Sequence, residues 1–279
     1  LSSWGDISSL TDKDLFALFD NSEWRLSEAT YFIKTSVRRI AYDAVIKTGG
    51  PDSEPLTISL VRASSSIAVP GVLRVLNIGT RKGFVMEYIS GETVEKCWEH
   101  LGLWQHFRIL WSIRSYIRQL RRILVPNTPQ SKHFPGPIGE VPQLCYGPTI
   151  HLRPKGGGPF ASCDELAQWF NHKVEVSRRF GRNLPPHLAF DSSLPLVLTH
   201  FDIAPHNVMV DGNYRVWLID WEHAGFYPQW FEYVAMYNGW TLDGRWKRWI
   251  VGFVAGFYER QANFISMIGW AIHTGHFVQ

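Results

Sequence analysis

Two carboxylates and a carboxamide, Asp202, Asn207 and Asp220, occupy a short stretch whose spacing suits chemistry on a phosphate. The stretch runs Leu198-Thr-His-Phe-Asp-Ile-Ala-Pro-His-Asn-Val-Met-Val210 and resumes as Val216-Trp-Leu-Ile-Asp-Trp-Glu222. Between them Asp211-Gly212-Asn213 separates two apolar runs, a strong hairpin signal. Pairing of Asn207–Val210 with Tyr214–Ile219 brings Asn207 and Asp220 to one end of the hairpin, with Asp202 just ahead of them. Phosphoryl transfer needs a carboxylate that orients the attacking hydroxyl and takes its proton, and hard oxygen ligands that hold Mg at the phosphates. The pattern His-x-Asp-x4-Asn, hairpin, Asp supplies Asp202 as the base and Asn207 and Asp220 as Mg ligands. The alternative is an Asx turn at Asp202 beside a hairpin that ends in Asp by coincidence.

Protein kinases use the same order of Asp, Asn five residues on, and a later metal-binding Asp. His200-Phe-Asp202 with Asn207 is similar to the His-Gly-Asp-x4-Asn signature of aminoglycoside phosphotransferases and choline kinase-like enzymes. Ile219-Asp-Trp-Glu-His-Ala-Gly225 resembles the Ile-Asp-Trp-Glu-x-Ala-Gly segment of that family. The continuation to Val234 is similar to the version common in fungal members. Ile67-Ala-Val-Pro70, Met86-Glu-Tyr-Ile-Ser-Gly91 and Gly158-Pro-Phe160 extend the resemblance over nearly the whole chain.

The resemblance implies an α+β, bilobal protein kinase-like fold and a small-molecule kinase that moves the ATP γ-phosphate to a hydroxyl or amine. ATP and Mg are the implied cofactors. It also implies a strand lysine at the α/β-phosphates, held by a helix glutamate. Lys47 closes Ala44-Val-Ile-Lys47, and Glu54 opens the next helical segment at the family distance from Ile67-Ala-Val-Pro70. Backbone groups of Glu87, Tyr88 and Ile89 would read the adenine edge. Thr35 and Ser36, in the turn Lys34–Arg39, would meet the phosphates through hydroxyls or amides, with a plain turn as the alternative.

Phe201 stands where many relatives carry Gly, which narrows the space beside the base, and His206 stands where many carry Arg. His200 is expected to orient the catalytic loop through hydrogen bonds. Phe201, Trp221, Glu222 and Tyr227 are acceptor-site candidates, with core packing as the rival reading for the aromatics. Gly156–Gly158 lacks the strand-and-helix context of a phosphate loop and is read as a flexible loop near the acceptor.

The elements that must position these groups change character near residue 90. Upstream, Tyr31–Val37 and Ile40–Ile46 read as adjacent strands. A turn at Gly49-Gly50-Pro51 precedes a helix over Glu54–Ser64 with Ser53 as N-cap. Two further strands, Val69–Leu76 and Gly83–Tyr88, follow. Downstream, helical spacing marks 94–123, 164–182 and most of the chain after Trp230. Leu194–Thr199 reads as a buried strand, and 125–160, rich in Pro and Gly, as an irregular excursion. The division is a nucleotide-binding N-lobe, 1–89, and a C-lobe, 90–279, with the catalytic loop, metal and acceptor sites.

Across the 279 residues, 45% are hydrophobic and 19% charged, which excludes a disordered chain. A net charge of +3 is too mild to imply a nucleic-acid or membrane partner, and there is no dense Lys/Arg block, so neither partner is expected. The expected partner is a small-molecule acceptor. Cys97, Cys145 and Cys163 form no CxxC pattern, which suggests free thiols in a reducing, cytoplasmic setting. No signal peptide is seen at the N-terminus. The apolar stretch 249–272 is broken by Glu259, Arg260 and Asn263, so an amphipathic helix is expected rather than a membrane span. The C-terminal region is not unusually acidic, so composition does not favour a cationic antibiotic as acceptor. Two rivals stand beside the kinase reading: a kinase-fold enzyme of fungal secondary metabolism with a non-phosphotransfer reaction, and a nucleotide-binding pseudokinase, for which the intact Asp202, Asn207 and Asp220 would be superfluous.

Overall fold

The computed structural model describes residues 1–27, 36–124, 134–150, 156–241 and 244–273. The chain opens with two helices that the sequence analysis did not anticipate, α1 (Trp4–Ile7) and α2 (Asp12–Asn21). Both begin with a capping box, Ser3 with Asp6 and Thr11 with Asp14, which satisfies backbone donors that a helix start leaves open. Next come β1 (Arg25–Ser27), β2 (Ser36–Arg39), β3 (Ala44–Thr48), α3 (Ser53–Ser64), β4 (Val72–Ile78) and β5 (Arg81–Glu87). The strands form one antiparallel sheet in the order β1-β2-β3-β5-β4. Helix α2 buries Leu15, Phe16 and Phe19 in a cluster with Ile46, Leu76 and Val85 of this sheet.

Several boundaries moved, each for a local reason. Strand β4 starts at Val72 rather than Val69, because Pro70 has no N–H to give a ladder. Asp52, not Ser53, precedes the first turn of α3, and it makes no side-chain cap bond. Its carboxylate instead pairs with Lys82 at 2.5 Å, while the Ser53 carbonyl accepts the Thr57 hydroxyl. The strand expected over Ile40–Ile46 runs Ala44–Thr48, which puts Lys47 inside the ladder opposite Phe84.

After residue 90 come β6 (Gly91–Thr93), α4 (Val94–Cys97), a short 3-10 turn, and α5 (Leu103–Leu120). The one or two helices expected over 94–123 are two, with Gly102 at the N-cap of the second, α5. Helix α6 (Cys163–Arg179), β7 (Leu196–Thr199), β8 (Val208–Asp211), β9 (Val216–Leu218) and β10 (Gly225–Pro228) follow. The hairpin β8–β9 forms as its turn residues indicate, with β6 as a third strand. Strand β10 pairs with β7, and Gly136 extends this small sheet by exchanging backbone bonds with Phe226 at 2.9 and 2.8 Å. Gly157 does the same with Cys145, so the triple glycine is a hydrogen-bonded packing element rather than a free loop. A methyl on Gly157 would press on Ile150 and Trp169.

The chain ends in α7 (Phe231–Gly239), α8 (Gly244–Ala255) and α9 (Glu259–His273). The single amphipathic helix expected over 249–272 is divided at Gly256, whose φ of 95° suits glycine. Helices α6, α7 and α9 share an aromatic core in which Phe170, Phe190, Trp230, Phe231 and Phe264 contact one another in stacked, edge-on and tilted pairs. No described helix is long and apolar enough to cross a membrane.

Candidate active site

The hairpin and the N-terminal sheet meet at Lys47. Its ammonium donates to Glu54 Oε1 at 2.8 Å and to Asp220 Oδ1 at 2.6 Å, and Glu222 Oε2 lies 4.0 Å away. Lys47 and Glu54 are 2% and 1% exposed, so the pair is desolvated. Burial alone would push the lysine down, but three surrounding carboxylates outweigh it and hold the ammonium charged. Burial raises Glu54 to about 7, against the pull of Lys47. For Asp220, burial again acts upward, yet the charge and hydrogen bond of Lys47 win and keep its carboxyl below the usual range. Glu54 Oε1 also accepts the Trp221 N–H at 3.1 Å, which ties α3 to the residue after Asp220.

Asp220 has a φ of 63°, a left-handed conformation that Asp tolerates better than most residues. It ends the hairpin in a turn that directs its carboxylate at Lys47 rather than along the strand. Across the hairpin base the Ile219 N–H donates to the Asn207 carbonyl at 3.0 Å. The Asn207 side-chain nitrogen donates to Asp202 twice, to the backbone oxygen at 3.0 Å and to Oδ2 at 2.9 Å. The Asn207 amide oxygen is thereby left as the atom of this side chain that could ligate a cation. Asp202 is raised by burial, opposed by the nearby His223 and His206.

The loop that carries Asp202 is fixed from behind. The His200 N–H donates to Glu232 Oε2 at 2.8 Å, and the Phe201 N–H reaches both oxygens of the same carboxylate at 3.2 and 3.3 Å. Glu232 is buried on α7, and burial pushes it up to about 7. The His200 ring accepts the Asp202 N–H on Nδ1 at 3.3 Å, so Nε2 carries the proton and donates to the Ile219 carbonyl at 3.1 Å. Burial drives His200 down to about 4, which keeps that ring neutral. Sequence reasoning missed Glu232. Only its distance of thirty residues from Asp202 hid it, and no local pattern reports such a contact.

Phe201 has a φ of 67° in the loop. Its ring packs on Tyr227 and Phe231, with centroids at 4.5 and 5.3 Å, and on Gly147, where a methyl would overlap it. Phe201, Trp221 and Tyr227 are 0, 1 and 0% exposed. The acceptor-site assignment of these three is therefore corrected: they are core aromatics that support the loop from beneath. Glu222 is likewise placed with Glu54 and Asp220, the three offering carboxylate oxygens within 4.8 Å of one another.

Around the segment joining the two parts, the N–H groups of Glu87 and Tyr88 already donate to Gly71 and Asp43, both at 2.9 Å. The Glu87 side chain accepts from Gly71 N–H and Arg62, and the Arg39 guanidinium lies 3.8 Å over the Tyr88 ring. Of the backbone groups expected to read adenine, the N–H groups of Glu87 and Tyr88 are thus already committed. Ile89 follows them and is buried. Ser36 opens β2 and is buried, paired in register with Thr48, while Thr35 lies outside the described residues.

A family model described as the phosphotransferase enzyme family matches residues 57–264. The chain belongs to that family. It is a phosphotransferase by descent, and the lysine, hairpin and loop just described lie on the scaffold that such enzymes share. Solved structures agree on the fold. Aminoglycoside phosphotransferase APH(2'')-Ib, ADP-bound, is similar with a TM-score of 0.58 and 14% identity, over 96% of this chain and 92% of that one. A Streptomyces rimosus aminoglycoside phosphotransferase, APH(3'')-Id, is similar at 0.52 and 15%, over 93% and 98%. Choline kinase of Streptococcus pneumoniae is similar at 0.50 and 14%, over 96% and 86%. No curated protein matches the sequence.

Proposed function

We propose that this phosphotransferase moves the γ-phosphate of ATP to a hydroxyl of a small metabolite, with Asp202 as the base. The observation that carries the reading is the convergence of Lys47, Glu54 and Asp220, hydrogen-bonded together, with Asn207 and Asp202, hydrogen-bonded to each other on one loop, the two groups joined through the Ile219 N–H on the Asn207 carbonyl. Asn207 fixes Oδ2 of Asp202 and leaves Oδ1 to accept the acceptor's proton. Glu54 holds the Lys47 ammonium where it can neutralise phosphate oxygens. Residues 1–89 would form the nucleotide-binding lobe and 90–279 the catalytic lobe, with the Ile89 N–H reading adenine. The three free cysteines suit a reducing, cytoplasmic setting.

The donor set also fits a divalent cation. One ammonium faces three carboxylates, and Glu54 Oε2 and Glu222 Oε2 are buried oxygens without a hydrogen-bond partner. Asn207 and Asp220, with Glu222 beside them, would hold Mg, which when bound neutralises the charge of the transferring phosphate.

Calorimetry of ATP binding with and without Mg, on wild type and Asp220→Ala, tests the site. Mg-dependent binding lost in the variant supports it, and absence of binding under every condition refutes it. Tracing γ-labelled ATP then tests the reaction: label must appear in an acceptor, and label that stays in nucleotide while the acceptor changes would sink phosphotransfer.

A further inference from the structure

The mild net charge of the chain conceals a local concentration. Helix α5 contains Arg108, Arg114 and Arg118, and α8 contains Lys247, whose ammonium lies 4.9 Å over the Tyr237 ring, and Arg248, yet neither helix has a single Asp or Glu. The two pack side by side: the Trp111 ring lies 6.1 Å from Phe253, and the Arg114 guanidinium sits 4.6 Å over Phe253. Their outer face is aromatic. Trp104, Phe107 and Trp111 follow one another along α5 with centroids 5.8 and 5.7 Å apart, and Trp246 and Trp249 stand three residues apart on α8, with the half-buried Phe253 one turn further on. Leu103 is 87% exposed, Trp104 70%, Trp246 72% and Trp249 64%. Four large apolar side chains this open on neighbouring helices form more than the scattered hydrophobics of an ordinary surface.

We propose that this α5–α8 face docks on an anionic phospholipid surface. Helices that lie in a membrane interface combine Trp, Phe and Leu with Lys and Arg, and lack acidic residues that an anionic leaflet would repel. Trp suits that boundary, having an apolar body and one polar N–H. The arginines have stems long enough to stay at headgroup level while the aromatics enter. Arg108 and Arg118 are exposed. The one acid that meets the described cations here is Glu259 at the start of α9, 3.4 Å from Arg248.

A second copy of the chain is a poorer occupant, since pairing this face with itself would bring cations together at the centre of an interface. Single-stranded nucleic acid is also poorer. It needs free aromatic faces for stacking, whereas Trp104 and Phe107 stack on each other, and an open aliphatic such as Leu103 gives it nothing.

The test is co-sedimentation of the full chain with vesicles of phosphatidylcholine and phosphatidylserine, and of phosphatidylcholine alone. Wild type is expected on the anionic vesicles, with a blue shift in tryptophan emission and release by salt. Arg108→Gln with Arg118→Gln is expected to weaken binding roughly 30-fold, and Trp104→Ser with Trp249→Ser to abolish the blue shift. Both pairs are surface changes, and an unchanged thermal midpoint verifies the fold of each; either pair alone decides the matter if the other misfolds. Equal binding to both vesicle types, or no binding to either, would overturn the proposal. So would a concentration-dependent dimer, or oligonucleotide binding, that the same substitutions remove in place of vesicle binding.

Discussion

Phe201 offers a sharp test of what positions the Asp202 loop, because two opposing effects meet at one residue. Its left-handed backbone costs a residue with a Cβ about 1–2 kcal/mol, and glycine there would remove that cost. Glycine would also discard a fully buried ring packed on Tyr227, Phe231 and Gly147. Truncating a buried phenylalanine costs roughly 3–5 kcal/mol, and the added freedom of the unfolded glycine about 0.5–1 kcal/mol more. The ring wins: Phe201→Gly should destabilise the enzyme by about 2–4 kcal/mol, or roughly 3–8 °C in the thermal midpoint for a chain of this size. Denaturant and thermal unfolding measure this directly. Activity assayed well below the lowered midpoint should survive, since Glu232 accepts from the backbone N–H of residue 201 whatever the side chain. A glycine variant as stable as wild type would refute the view that ring burial compensates the strained loop.

Glu232→Ala strips the buried N–H groups of His200 and Phe201 of their acceptor, at roughly 1–3 kcal/mol each. Stability and kcat should both fall, with the KM for ATP moving less, and Glu232→Gln should restore most of the loss. An alanine variant with unchanged kcat would show that the loop needs no anchor. The pH dependence of stability tests His200. Burial lowers its folded pKa from 6.5 to about 4, so the neutral ring contributes stability that is complete above pH 6.5 and is lost as pH falls toward 4, about 3 kcal/mol in all. Glu54 and Glu232, raised to about 7 by burial, act with the opposite sign: their share is present below pH 4.5 and disappears as pH rises through 7. The difference between wild type and His200→Gln isolates the histidine. The variant should lose stability less steeply between pH 6.5 and 4, and identical slopes would contradict a buried neutral ring.

Much of this enzyme is legible in the sequence because its chemistry is local. Asp202 and Asn207 are five residues apart on one loop, and the Asp211-Gly212-Asn213 turn returns the chain so that Ile219, next to Asp220, lies opposite Asn207. Residue types dictate that geometry through turn conformation and strand pairing, with no help from the rest of the fold. The same holds for helix α3, which follows its turn and carries Glu54 in its first buried turn.

What tertiary structure decided are matters of burial and distant approach. Lys47 finds Asp220 across 173 positions, and Glu232 reaches the His200 N–H across 32. Neither pairing has a periodic signature, because the free energy comes from satisfying desolvated groups wherever packing has brought them. Phe201, Trp221 and Tyr227 read as pocket aromatics from their nearness to the motif, yet the core took them, since large rings stabilise most when wholly buried. The basic, aromatic face of α5 and α8 was averaged away in the net charge. Two helices far apart in the chain had to pack together before their like charges and open tryptophans became one surface.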